Sequence, residues 1–464
     1  MSQLADLARA MFAAAVDAVR PAALMRRVAF LTDGVAIADS TLAPRRQLVL
    51  VALGKAAPGL AAAFLARCRR PPDRLFALAP YGVPASPEVE PFLRRGAHPL
   101  PDEAGERAAE ELLRLLADLT PEDGVVLLLS GGSSALLTAP LPGITRQEVV
   151  AVTRALLNAG AGIYELNAVR KHLLAATGGR LAAACPAPIL TLILSDVPGD
   201  DLATIASGPT VADPTTYADA LEVLRRRGVA DSFPQVAEFL RQGASGHLAE
   251  TPKPGDPALH RSRVHLLGSN REALEAAADT ATSAGFTALV LTRTYRGEAR
   301  ALGEALGALA CQLDNSAPRA VLAAGETTVT IRGTGRGGRN LEAALAAAGP
   351  LYGVPGRCVL VAGSDGVDGS SPAAGAVVNG DTLRRGATRG RDAAAALADN
   401  DSWGFFAGSD EAIVTGPTGT NVADLAFILV AGGRRRFIPA GQRSAKLERG
   451  EPLERYPRQT KKPT

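Results

Sequence analysis

The stretch GVVLLLSGGSSALL, residues 124–137, sets an unbroken apolar run against a glycine–serine turn and then resumes with helix formers. An apolar run without polar alternation is what a strand buried on both faces looks like. Such strands belong to parallel sheets covered by helices. Comparable runs recur as QLVLVAL (47–53), RLFALAP (74–80) and PILTLILSDV (188–197). Helix-length segments fit between or after them, at 56–68, 103–118, 146–160 and 216–227. Strand and helix in alternation predict an α/β protein with a mostly parallel sheet.

The chain has 464 residues, enough for two or three domains. The polar, Pro- and Gly-rich stretch SGHLAETPKPGDPALHRSRV (245–264) reads as a boundary. A second series of apolar runs follows it, including TALVLTRT, RAVLAAGETTVTIRG and RCVLVAGSDG. Within that series AGETTVTIRG is expected to form an extended hairpin beside the parallel strands. We therefore expect one α/β domain over 1–245, a second over 246–433, and a basic, disordered tail over 434–464.

Composition excludes several classes of function. The net charge of +3 does not suit a globally basic nucleic-acid binder. Its excess sits largely in the tail. Cys68, Cys185, Cys311 and Cys358 have no C-x-x-C spacing, which points away from a zinc site or disulfide framework and towards a reducing cytoplasm. The histidines show no metal-ligand spacing, and no G-x-S-x-G elbow marks a serine hydrolase. No apolar run long enough to span a membrane occurs, so no membrane partner is expected.

The polar loops follow strands, where helix N-termini offer free N–H groups to ligands. Ser130, Gly131, Gly132, Ser133 and Ser134 form such a loop. Glycines admit close backbone approach and serines add donors, although a serine-capped turn explains part of the pattern. Lys55 ends the 47–53 run and is one of only six lysines among 50 basic residues. Asp196 ends another strand, where a carboxylate suits Mg²⁺ on phosphates, and Asp365 repeats that placement. Asp200 and Asp201 read as caps or turn formers. Ser269 or Asn270 reads as a helix N-cap.

The segment TVTIRGTGRGGRNLEAALAAAG (328–349) contains G-x-G-x-x-G at Gly333, Gly335 and Gly338, the pattern of a dinucleotide site. Arg336 and Arg339 flank Gly337 and Gly338, however, and place positive charge where the helix dipole is already positive. That placement favours an anion clamp. It also predicts that Arg339→Ala folds at least as stably as the parent.

Six segments, in order, carry a resemblance: GAHPLPDEAG (96–105), LLSGGSSALL (128–137), LNAVRKHLLAATGGRLA (166–182), LILSDVPGDDLATIASGPTV (192–211), GRGGRNLE (335–342) and VAGSDGVDGSSPAAGAVV (361–378). Together they resemble the class II glycerate 2-kinases that carry a C-terminal MOFRL domain. The resemblance runs from about residue 5 to 430. It implies two α/β domains with Rossmann-like sheets flanking a deep interdomain cleft, the first domain being the nucleotide side. It also implies transfer of the ATP γ-phosphate to the 2-hydroxyl of D-glycerate, with Mg²⁺.

By matched motif, Lys55 and Arg339 would be the catalytic pair. The nucleotide would lie along Ser130 to Ser134, near Ser207 and Gly208, with Gly337, Gly338 and Asn340 on the opposite side. Asp196 and Asp365 would hold the metal. The partners would be D-glycerate and a nucleotide, and a homodimer is compatible with the pattern. Two alternatives remain open at this point: an NAD(P)H-dependent hydroxypyruvate reductase, a label members of this family have carried, and a non-enzymatic sugar-acid or nucleotide sensor.

Overall fold

The computed structural model describes residues 3–433; the expected tail at 434–464 lies outside them. Two six-stranded sheets dominate, with a small antiparallel sheet of Ala29–Phe30, Val35–Ile37 and Ser40–Leu42 beside them.

The first sheet is wholly parallel. Across it lie Leu93–Gly96, Arg74–Pro80, Leu48–Leu53, Gly124–Ser130, Ile189–Leu194 and Ser262–Gly268. Counted along the chain this is the order 3-2-1-4-5-6 of a doubly wound, Rossmann-like sheet. Its central strands are buried along their whole length, as their unbroken apolar runs require. Leu48, Leu50 and Ala52 enter one apolar cluster, while Val49, Val51 and Leu53 enter another on the opposite face. The sheet also runs past the boundary expected at 245. Strand Ser262–Gly268 pairs with Ile189–Leu194 and completes it. The polar stretch before that strand is thus a connection within the first unit, and the crossing comes after Gly268.

The second sheet is mixed, so the expectation of mostly parallel strands applies to the first sheet alone. Its order is Thr287–Tyr295, Arg319–Gly325, Asp424–Val430, Arg357–Gly363, Gly375–Asn379 and Ala412–Ile413. The last strand among the described residues, Asp424–Val430, is inserted antiparallel between Arg319–Gly325 and Arg357–Gly363. Its register puts Asp424 level with Gly325 on one side and Gly363 on the other. This insertion also removes the expected hairpin. Strand Arg319–Gly325 has both edges filled, by Thr287–Tyr295 and Asp424–Val430. Residues 326–338 therefore leave the sheet as a loop before helix Arg339–Leu351.

The N-terminal helix Gln3–Ala18 does not cover the sheet that follows it. It packs on helix Asn270–Ser283 and on the strands Arg357–Gly363, Gly375–Asn379 and Asp424–Val430 of the second sheet. One apolar cluster consequently contains Met11 and Phe12 together with Leu50, Val126, Leu360 and Phe427. Ser269 caps helix Asn270–Ser283 in a capping box with Glu272, as its sequence predicts. No helix among the described residues is long and apolar enough to cross a membrane.

Candidate active site

The strand order of the first sheet reverses between Leu48–Leu53 and Gly124–Ser130. Doubly wound sheets bind ligands at the carboxyl ends of such a strand pair. Here those ends carry Gly54-Lys55 and Gly131-Gly132. They are tied by backbone and serine: Lys55 N–H donates to Gly131 O (2.8 Å), Ala56 N–H donates to Ser130 Oγ (3.1 Å), and Ser130 Oγ donates to Leu53 O (3.0 Å). Gly54 has φ 104°, and a Cβ on it would lie 2.4 Å from Ser130 O, so the crossing admits only glycine.

Between the two sheets lies a cleft of about 700 Å³. Lys55 and Asp196 line it from the first sheet. Glu326, Arg339, Asp365 and Asp368 line it from the second, beside Gly337 and Gly338. Lys171 and Lys253 each pair with a carboxylate, whereas Lys55 pairs with none among the described residues. The carboxylates crowd one another. Burial, then the proximity of Glu326 and Asp365, pushes Asp196 up to about 6 against the pull of Lys55. Asn421 Nδ2 donates to Asp196 at 3.0 Å. Burial also raises Asp365.

At the mouth of helix Arg339–Leu351 the expected anion site is already filled from within. Asp368 accepts from the backbone N–H of Asn340 (3.1 Å) and Leu341 (2.8 Å). Burial pushes this carboxyl up to about 7, against those hydrogen bonds. A dinucleotide pyrophosphate would need the same N–H groups. The glycines of G-x-G-x-x-G are also spent on packing. A Cβ on Gly333 would meet Asp399, one on Gly335 would meet Asp401, and one on Gly338 would meet Asp368, all within 2.4 Å.

Arg339 departs from expectation too. Its guanidinium is not waiting for an anion. Nε and an Nη donate to the two oxygens of Asp424 at 2.6 and 3.1 Å, and the other Nη lies 2.7 Å from Glu326. Burial opposes its charge, but Asp424 and Glu326 raise its pKa overall. The helix-dipole argument overlooked these counter-charges, so the expected stability of Arg339→Ala does not follow.

The other residues singled out by sequence divide into two sets. Lys55, Asp196, Gly337, Gly338, Arg339 and Asp365 share the cleft. The rest are absent from its lining, and their polar atoms are engaged elsewhere. Ser133 Oγ donates to Ser130 O (2.7 Å), and Ser207 Oγ donates to Asn167 Oδ1 (3.0 Å). Asn340 Nδ2 donates to Asp424 (3.1 Å), and Gly208 O accepts from Gly179 N–H (2.7 Å). Ser130 ties the strands as described. Gly131 packs on Asp196, Gly132 packs on Lys55 and His98, and Ser134 Oγ meets Ser207 Oγ at 3.1 Å. The buried serines Ser130, Ser133 and Ser207 thus tie neighbouring segments together rather than cap helices; the N-cap of helix Ser133–Leu136 is Gly132.

Comparison with known proteins shows the family and the fold. The family model described as "Domain of unknown function (DUF4147)" matches residues 7–241, and the model described as "MOFRL family" matches residues 319–424. The chain is 37% identical to the D-glycerate 2-kinase of Thermotoga maritima, over 83% of this chain and 91% of that protein. The chain belongs to the class II glycerate kinase family. It is also 42% identical to a protein of Agrobacterium vitis that carries a provisional hydroxypyruvate reductase name, over 83% of this chain and 88% of that one. The crystal structure of a glycerate kinase from Thermotoga maritima superposes with a TM-score of 0.78 at 35% identity, covering 92% of this chain and 99% of that one.

Within this family architecture, sequence reasoning missed Asp424, Glu326 and Asn421. Asp424 opens the antiparallel strand DLAFILV (424–430), whose apolar run was a visible signal. Glu326 directly follows a strand end, the same signal that singled out Lys55 and Asp196.

Proposed function

We propose that the protein is an ATP-dependent glycerate 2-kinase, moving the γ-phosphate of ATP to the 2-hydroxyl of D-glycerate to give 2-phosphoglycerate and ADP. The observation that carries this reading is the convergence of a lysine with no carboxylate partner among the described residues, a braced arginine and a crowded set of carboxylates on one interdomain cleft. The named relatives support the same activity. The cleft volume is in the range that takes a nucleotide with a small acid.

Phosphoryl transfer depends on positioning and charge neutralisation more than on covalent chemistry. Lys55, without a carboxylate partner among the described residues, would meet the charge developing on the phosphoryl group. Arg339 would present the N–H groups not used by Asp424 and Glu326, held in place by that pairing. The carboxylates fit Mg²⁺ by donor type. No three His, Cys, Asp or Glu side chains among the described residues converge as a ready cage. Mg²⁺ needs only one or two carboxylates when phosphates and water complete its shell. Asp196 and Asp365 would hold it, and it would supply neutralisation of phosphate charge. Asp196, raised by burial and like-charged neighbours, would be relieved by such a cation.

The test is a coupled assay with D-glycerate and MgATP in which enolase distinguishes 2- from 3-phosphoglycerate. ADP release with the enolase-competent product is expected; absence of ADP release would end the reading. The Agrobacterium relative's name keeps a reductase worth the same afternoon's work. NADH oxidation with hydroxypyruvate is expected to be nil, since Asp368 occupies the helix terminus a pyrophosphate needs.

A further inference from the structure

Behind Lys55, which lines the cleft from the first sheet, two further nitrogen-bearing side chains, His98 and Arg170, crowd the serine–glycine turn. A Cβ on Gly132 (φ 84°) would lie 3.2 Å from His98 Cδ2 and 3.3 Å from Lys55 Cγ, so both side chains flank that residue. Arg170, in the last turn of helix Ile163–Lys171, donates to Ser134 O at 2.5 Å. Neither Arg170 nor Lys55 pairs with a carboxylate among the described residues, although Lys171, next in the chain, is locked to Asp213 at 3.1 Å. Burial, then Lys55 and Arg170, drive the His98 imidazole down to about 4, so it stands neutral beside two cations. Burial alone brings Arg170 down to about 10. Two partly buried cations with no counter-charge are costly unless an anion completes the set.

We propose that Arg170, with His98 and Lys55, forms the subsite that binds the carboxylate of a small hydroxy acid, Arg170 being its principal contact. The identity of that acid as D-glycerate rests on the kinase reading above. A planar guanidinium fork matches a planar carboxylate. Arg339, expected from the sequence as an anion clamp, already has the Nε–Nη side of its guanidinium on Asp424. Lys55 flanks Gly132 together with His98 and lines the cleft together with Asp196 and Asp365. It would therefore stand between the acid's carboxylate and the phosphoryl group that its neighbouring hydroxyl receives. His98, uncharged, offers a ring nitrogen to a hydroxyl without adding repulsion.

The experiment compares the parent with Arg170→Met and Arg170→Lys by steady-state kinetics, and by calorimetric titration with D-glycerate in the absence of nucleotide. Arg170→Met should raise the KM for D-glycerate by roughly 10- to 100-fold, the scale of a lost charged hydrogen bond. The KM for ATP should stay within about twofold of the parent's, and Arg170→Lys should restore only part of the loss. The Tm of Arg170→Met should equal or exceed the parent's, because an uncompensated buried charge is removed; a lower Tm would be answered by the Lys variant, which keeps the charge. A raised KM for ATP with an unchanged KM for D-glycerate would make the subsite a phosphate site and overturn the proposal. Unchanged values for both would overturn it as well. If the parent showed no kinase activity, the kinase reading would fall by itself. Calorimetry would still decide the subsite: binding by the parent and not by Arg170→Met upholds it, and equal behaviour of the two defeats it.

Discussion

At Arg339 a single guanidinium spans two carboxylates of unequal burial, Asp424 at 2% side-chain exposure and Glu326 at 47%. Removing the arginine leaves Asp424 buried and unpaired except for Asn340. Arg339→Ala is therefore expected to lose about 1–3 kcal/mol of stability, the cost of an orphaned buried acceptor, and on the order of 10²–10³ in kcat. Thermal melts and kinetics on the one variant check both. A parental Tm would mean that the Asp424 pairing contributes nothing. Asp196 behaves in the opposite sense. Its carboxyl is raised from 3.8 to about 6 in the folded chain. Between those values the folded state keeps a proton that the unfolded state releases, so stability falls as pH rises through that window. Asp196→Asn should thus melt above the parent at pH 7.5, and this advantage should vanish near pH 4, while turnover is lost. An advantage of equal size at both pH values would show that burial of the charge is not its source.

At the scale of elements, strand ends were the legible part. Lys55, Asp196 and Asp365 each follow a near-continuous apolar run, and each lines the cleft. What the sequence hid was pairing between distant segments. The alternation in TTVTIR promises a strand, but the sheet has no free edge beside Arg319–Gly325 to receive one. The glycines around 333–338 imitate a phosphate loop, yet serve close contacts with loop 399–402 and Asp368. Glycine plays a similar part between helices Ala299–Gln312 and Arg339–Leu351. A Cβ on Gly303 would lie 2.1 Å from Ala343 O, and one on Gly307 would lie 2.5 Å from Ala347 O. Gly303→Ala gains about 1 kcal/mol of helix propensity but forces two backbones apart, at about 1–3 kcal/mol. Its Tm should fall by a few degrees and take the placement of Arg339 with it, seen as reduced kcat. A Tm at or above the parent's would sink the close-approach argument.

Over the whole molecule, the crossing of helix Gln3–Ala18 to the second sheet makes the two units share a core. Arg9 donates to the carbonyls of Asp410 and Ala412, and Thr420 Oγ1 donates to Val19 O at 2.6 Å. Met11 is wholly buried in this junction. Met11→Ala should cost about 2–5 kcal/mol. The loss should appear as faster amide exchange in Arg357–Gly363 and Asp424–Val430 before Leu48–Leu53. Faster exchange confined to Leu48–Leu53 would contradict the packing. The same crossing has a consequence in time. A ribosome releases the helix first and the strand Asp424–Val430 some 400 residues later, about 20–80 s at ordinary elongation rates. During that wait the apolar stripe of Leu4, Leu7, Met11 and Phe12 gains helix Asn270–Ser283 first and the strands of the second sheet only afterwards. The chain must keep the rest of that helix face shielded, by a chaperone or a passing contact, until strand Asp424–Val430 emerges to complete the seat.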